Sequence, residues 1–474
     1  MARTKRSRKR KGSRILFFAA AVLVLLLAAG LFIRVKSPMA PDSSVFAPQP
    51  QAPVLHYEGE LDSPALLTKA WIYGTHLNLE GQLPLAQAEN VLTAQLVLYA
   101  ADGQEQSWPL FYTGEGEQLR FRLSEHINGG IELETLAEGE GFLLVRITAL
   151  TGQTAADGTA VSVQTQHPLA ADGTAGGLPG EYYTVTKNGA NRRITLTEQP
   201  LQLAGGAQPG IFLRCEAAPL PEQVYDIVID AGHGGTDAGS LSPDGKHYEK
   251  DIVLAIALKT RDALQAQGYK VLLTRDGTED PKTKMAYTMY DADGRVTRTV
   301  ASGAKLCLSL HLNSYDGHLR DGQGGVQIYA ADAMDYTFAR NLSQSIADAA
   351  GSYPSTMGYY NVVPGVFCRT FTQSDSDELA AEGYEFNFEP YDIPAGTNYY
   401  YIIRETGCSI TGAYIDGRHP HYGENIYRES RTGVETYLCE LGYINLQEDL
   451  DTLLNSPESY AAGIAAAVQA RFGG

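Results

Sequence analysis

Three residues stand where a metal could be held. His233 lies in Ala231-Gly232-His233-Gly234-Gly235, whose glycines let the backbone turn tightly and leave the imidazole uncrowded. His311 closes the run Lys305-Leu306-Cys307-Leu308-Ser309-Leu310-His311. Glu249 heads a segment whose apolar residues Ile252, Val253, Ile256, Ala257, Ala263 and Leu264 recur at helical spacing. Two imidazoles and one carboxylate are a ligand set for one zinc ion in hydrolysis, with water in the fourth position. Zinc brings the pKa of that water to about 7, giving a nucleophile at neutral pH. A second acid, Glu440, interrupts the apolar run Thr436-Tyr437-Leu438-Cys439-Glu440-Leu441-Gly442. A buried unpaired carboxylate is costly enough to need a reason, and the reason read here is proton transfer. Glu440 would take a proton from the attacking water and return it to the leaving amine.

The elements that must position these residues follow from the same rows. Val224–Asp230 reads as a buried strand, Tyr269–Thr274, Lys305–Leu312, Gly325–Tyr329 and Val434–Leu441 as further strands. The helix opened by Glu249 is capped at Gly268, a second helix falls near 333–350, and Ser456-Pro457-Glu458 starts the last. Strands alternating with helices predict an α/β domain over 222–474, a mainly parallel sheet flanked by helices. In such a sheet reactive groups collect at the C-terminal ends of strands, where His233, His311 and Glu440 fall. Residues 54–220 have another grammar: short alternating runs such as Ala94–Tyr99, Leu119–Leu123 and Phe142–Ile147, punctuated by Asp102-Gly103, Asn128-Gly129 and Asn188-Gly189. They predict an all-β accessory domain, a sandwich or open barrel, with 152–180 a long loop or an internal boundary.

The chain has 474 residues and a net charge of -18, and its two ends differ. The first 36 residues hold ten Lys or Arg and no acid, which leaves the remainder at -28. An acidic body excludes nucleic acid as a partner, since phosphate binding needs clustered positive charge. Between Arg14 and Arg34 lie 19 uncharged, mostly apolar residues, Ile15–Ile33. As a helix this run is about 28 Å long, enough to cross a bilayer core. The rival reading, a cleaved signal peptide, has an apolar region of roughly 7–15 residues and a small-x-small cleavage site. Here Met39-Ala40 is followed by Pro41, a poor residue to cleave before. The expectation is therefore a basic cytoplasmic tail (1–14), a single-pass anchor (15–33), a Pro-rich linker (34–53) and an extracytoplasmic body. Five cysteines fit no metal-site spacing. Cys368 with Cys408 is one conceivable disulfide, and five small buried residues is the plainer reading.

The run Ile227–Gly239, with Glu249-Lys250-Asp251, Ser309-Leu310-His311-Leu312-Asn313 and Glu440-Leu441-Gly442-Tyr443-Ile444, resembles the zinc-dependent N-acetylmuramoyl-L-alanine amidases. The resemblance implies a hydrolase that cuts peptidoglycan between muramic acid and L-alanine, with His233, Glu249 and His311 on zinc and Glu440 catalytic. It covers about 222–474 and rests on four separated motifs in order. One departure is an insert at about 352–432, acidic and Tyr-rich, with Glu385, Glu389, Tyr391, Tyr399, Tyr400 and Tyr401, and a later piece with His419 and His421. Two rival functions stay open: a non-catalytic wall-binding scaffold with an amidase-like domain, and a zinc peptidase acting on the stem peptide. The β-rich region is expected to dock a protein partner or to position the enzyme.

Plainer readings stand beside these. His247, two residues before Glu249, is an alternative ligand disfavoured by the helix start, while His318, His419 and His421 read as loop residues. His56, His76, His126 and His167 read as structural or surface residues, Asp237 as a loop-closing acceptor, and Arg275 and Asp276 as partners of each other or of the backbone.

Overall fold

Ile227–Ala231 is apolar except for Asp230 and is buried at all five positions, as befits a strand covered on both faces. In the computed structural model it lies inside a seven-stranded sheet. The strands are β1 (Ile227–Ala231), β2 (Val271–Leu273), β3 (Leu306–Asn313), β4 (Gln327–Tyr329), β5 (Asn361–Val363), β6 (Val366–Phe367) and β7 (Glu435–Tyr443), in the order β2-β1-β3-β7-β4-β6-β5. The helices are α1 (Glu249–Ala266), α2 (Arg295–Ala301), α3 (Thr337–Ala350), α4 (Tyr401–Thr406), α5 (Gln447–Asn455) and α6 (Pro457–Phe472). The structure describes residues 56–57, 59–173, 177–185, 190–203, 206–283, 293–315, 317, 319–320, 322–375, 377, 395–412 and 429–473. The basic tail, the Ile15–Ile33 run and the linker fall outside them, as do Asn188-Gly189, His318, Glu385, Glu389, Tyr391, His419 and His421. Among the described residues no helix is long and apolar enough to cross a membrane.

The sheet is mixed. β2, β1, β3 and β7 pair in parallel, but β4 runs antiparallel to β7. The chain leaves β3 at Asn313 and re-enters at Gln327 without an intervening helix, so it cannot cross back to the other end of the sheet before pairing. Each strand divides its side chains between two faces. Leu306, Leu308 and Leu310 join Ile252, Val253 and Ile256 of α1 in the main core. The other face carries Val228 and Cys307, then Asp230 and Ser309, then His311 beside Glu440. That face receives α2 and α4, which pack against each other.

Residues 56–217 are almost wholly β. Two sheet layers share the strand Ala160–Ala171, which pairs with Gly139–Thr154 on one side and with Ala65–Tyr73 on the other. Leu67, Leu79 and Leu119 of one layer meet Leu96, Val145 and Ile211 of the other in a single core. The stretch 152–180 is neither a loop nor a boundary over its first half. The antiparallel register of Ala160–Ala171 on Gly139–Thr154 runs from Ala160↔Thr154 to Pro168↔Leu144, and its Thr and Val residues suit a strand.

Residues 55–474 form one unit rather than two separable domains. Strand Ala65–Tyr73 gives Ala70 and Ile72 to the β core and Trp71 and Tyr73 to the α/β core. Thr432–Gly433, from just before β7, pairs with its end at Ile72 and Tyr73. Lys305 Nζ reaches Glu134 Oε1 at 2.6 Å, with both side chains buried. Asn128, expected at a turn, lies in one, closed by Gly129 N donating to His126 O at 3.1 Å, and is also a clasp: its Oδ1 accepts from Asp335 N at 2.8 Å and its Nδ2 donates to Asp335 O at 3.2 Å. All five cysteines are free, so Cys368 and Cys408 are not bridged. Four of the five are buried, the plainer of the two expectations.

Candidate active site

The edge of the sheet where β1, β3 and β7 end gathers the chemistry. His233 follows β1 with φ +59°, a left-handed conformation that a residue with a Cβ adopts at a cost of about 1–3 kcal/mol. Two contacts hold it there: Arg295 Nη2 donates to His233 O at 2.8 Å, and Gly234 N donates to Asp237 O at 2.9 Å. Glu249 sits in the first turn of α1, where the helix dipole favours a negative charge. Its Oε1 lies 3.1 Å from both His233 Nε2 and His311 Nδ1, and accepts from Leu312 N at 2.8 Å. Its Oε2 accepts from Ser240 N at 2.9 Å. One donor atom from each of His233, Glu249 and His311 lies within 4.8 Å of the others, and among the described residues no other cluster of this kind occurs.

Electrostatics follow from that closeness. Burial works against a charged imidazole at His233, but hydrogen bonds to Asp237 and Glu249 outweigh it and carry the group up to about 9. Burial likewise works against ionised Glu249, yet the two histidines hold it well below the usual carboxylate range. A dication among these ligands would replace the proton that His233 carries without it. The fit can be tested on the surroundings. Asp237 Oδ2 lies 2.9 Å from His233 Nδ1, which fixes the tautomer that leaves Nε2 free as a ligand. A Cβ on Gly232 would sit 2.4 Å from the His311 ring, and one on Gly239 (φ +65°) 2.7 Å from Glu249 Oε2 and from His233. The cradle thus closes around the three side chains and admits no more bulk, and its donor set fits a zinc ion.

Glu440 is next to His311 in register on the same sheet face. It is partly exposed as a residue, but its Oε2 is buried with no hydrogen-bond partner among the described residues. Burial first, and the charge of Glu249 second, push it up to about 8. A carboxyl poised near neutrality beside the ligand set is what an acid–base group requires.

Two supporting residues, Asp230 and Arg295, carried no signal of their own in the sequence. Asp230 is buried beneath the site and accepts from Thr274 Oγ1 at 2.6 Å, Ser309 Oγ at 2.6 Å and Arg295 Nη1 at 3.0 Å. Arg275 donates to Ala231 O, Gly232 O and Lys250 O at 2.7–2.8 Å, tying the histidine loop to α1. It therefore pairs with the backbone, and Asp276 turns to Thr278. Asp237 does close its loop, accepting from Gly239 N at 3.1 Å, and holds His233 as well. His247 stays outside the cluster. His167 is structural, held by Ser63 O and Thr165 Oγ1, and His76 lies 3.3 Å from Glu132 Oε2.

A His, Glu, His set with an unpaired acid, at the C-terminal edge of parallel strands, is an arrangement that could hold a metal ion and serve a hydrolase. Residues 227–368 match the N-acetylmuramoyl-L-alanine amidase family, and this part of the chain is a domain of that family. The chain is 40% identical over 100 residues to the germination-specific N-acetylmuramoyl-L-alanine amidase of Bacillus subtilis, covering 20% of this chain and 41% of that protein. It is 34% identical over 157 residues to the amidase AmiC of Neisseria meningitidis, covering 32% and 35%. The matches thus span less than half the length of either relative. Among solved structures, the catalytic domain of the amidase CwlV from Bacillus (Paenibacillus) polymyxa var. colistinus is similar at 21% identity and a TM-score of 0.34, over 52% of this chain and 98% of that one.

Proposed function

We propose that this chain is a membrane-anchored peptidoglycan hydrolase that cleaves the amide between N-acetylmuramic acid and L-alanine. The observation that carries the reading is the unpaired Glu440 carboxyl beside the His233, Glu249, His311 cluster, within a domain of the amidase family. A zinc ion bound by His233, Glu249 and His311 would supply Lewis acidity that lowers the pKa of water and polarises the amide carbonyl. Asp237 holds the His233 ring, while the Asp230 and Arg295 pair beneath it holds the His233 carbonyl. Glu440 accepts the proton of the attacking water and delivers it to the departing alanine nitrogen, so that the C–N bond breaks as a neutral amine leaves. The apolar run Ile15–Ile33 between basic flanks supports a single-pass anchor with the N-terminus in the cytoplasm and the body outside. The β-rich region would position the catalytic part, and its docking beside the starts of β3 and β7, away from Glu440, supports that role.

Incubation of the full, zinc-loaded chain with purified cell wall tests the reading. New amino termini belonging to alanine, matched by free muramic acid lactyl groups, are expected. Binding without new termini would favour a scaffold instead, and termini within the stem peptide a zinc peptidase.

A further inference from the structure

Arg369 lies one residue beyond the segment that matches the amidase family, within the insert. Its guanidinium carbon is 3.3 Å from the ring centroid of Tyr399 and 4.9 Å from that of Tyr360, so two aromatic rings hold the cation. Its nearest carboxylate contact among the described residues, Asp375 Oδ1, is at 3.8 Å, too far for a hydrogen bond, and the other oxygen of Asp375 already accepts from Thr372 N and Oγ1. The Nε is buried with no partner among the described residues, while the side chain as a whole remains 24% exposed. A fixed planar cation with much of its hydrogen-bonding capacity unspent thus faces solvent.

Ring contacts link it to the strand beside Glu440. Tyr399 packs on Tyr400 at 5.5 Å, and Tyr400 on Tyr329 at 4.7 Å. On β4, Gln327 is the register partner of Glu440, and Tyr329, two residues on, shares its face. The rings therefore run without a break from Arg369 to the sheet face that carries Glu440. Burial chiefly pushes the Tyr329 and Tyr400 hydroxyls up, with the charge of Glu440 adding to it and that of Arg369 opposing it.

We propose that Arg369, clamped between Tyr360 and Tyr399, binds a free carboxylate on the peptide that departs with the cleaved amide, and selects such peptides over those in which that carboxylate is an amide. The inference rests on the amidase reading. A guanidinium meets a carboxylate through two parallel charge-assisted hydrogen bonds, and a primary amide offers neither the charge nor the second acceptor. Holding the cation by stacking removes side-chain freedom before the peptide arrives.

The test uses the full, zinc-loaded chain and synthetic N-acetylmuramoyl peptides whose second residue carries either a free α-carboxylate or its amide. The acid should be cleaved with a kcat/KM about tenfold or more above the amide. Arg369→Gln should bring that ratio near one, chiefly through the KM of the acid, and Arg369→Lys should leave an intermediate ratio. Binding of the same peptides to the Glu440→Gln chain, with and without Arg369→Gln, reads the preference without chemistry. No preference in the parent chain, or one that survives Arg369→Gln, overturns the subsite. Peptides that bind with the predicted preference but are never cleaved overturn the amidase reading and leave the subsite standing.

Discussion

Glu440 carries a thermodynamic cost that can be measured apart from catalysis. Its folded pKa, pushed from 4.5 up to about 8, means that the metal-free native state holds a proton the unfolded chain releases. Stability therefore falls as pH rises from about 4.5 to about 8, and no further loss comes from this group above that. Glu440→Gln removes the ionisation, so in the metal-free protein its Tm should gain on the parent progressively across that window, read by thermal melts at several pH values. A gain that does not grow with pH would mean that the carboxyl is not held neutral. Asp237→Ala should leave the fold intact and weaken zinc binding about 10–100-fold, because the His233 ring loses the acceptor that orients it. Competition with a chelator measures this. Glu440 was legible because an acid interrupts an apolar strand. Asp230 interrupts β1 in the same way, but the sequence does not show that it is satisfied, because its partners, Thr274, Ser309 and Arg295, come from three other parts of the chain. Sequence reveals a buried charge but not whether its partners exist.

Among the elements, the loop after β1 closes tightly on the site. Gly232→Ala puts a methyl 2.4 Å from the His311 ring, so the variant should keep its circular dichroism and lose bound zinc, read as metal content after gel filtration. The catalytic strands and helices were legible from apolar runs and caps, with ends shifted by a few residues. β4's reversal was not, since strand direction depends on the connection rather than on composition. Strand Ala65–Tyr73 lies in the region expected to form a sandwich or open barrel, yet both its faces are buried in different cores. Alternation of apolar and polar residues signals a half-buried strand, and here Trp71 and Tyr73 supply the second buried face while keeping an amphipathic character. Tyr399 and Tyr400 of the Tyr-rich insert pack, on Arg369 and Tyr329 respectively.

At the level of the whole molecule, the β-rich and catalytic parts share buried charge. Lys305→Met leaves Glu134 buried without its cation and should cost about 3–5 kcal/mol, whereas adding Glu134→Leu should recover much of that. Urea unfolding of the two variants checks this, and a double variant no better than the single one would show that the pair is not coupled. The opposite charges of the two ends bear on location. A body at -28 gains no electrostatic adhesion to an anionic wall, so retention would rest on the Ile15–Ile33 run. Removing residues 1–36 should release the protein from cells at physiological salt with its chemistry retained, and tight residual binding would contradict that. The most direct test asks whether Glu440 moves the proton without holding the metal: Glu440→Gln is assayed for new alanine amino termini in cell wall together with zinc content. If Glu440 carries the proton, the variant keeps one bound zinc and its activity falls by at least about a hundredfold; undiminished release, or loss of the metal with the activity, would contradict that role.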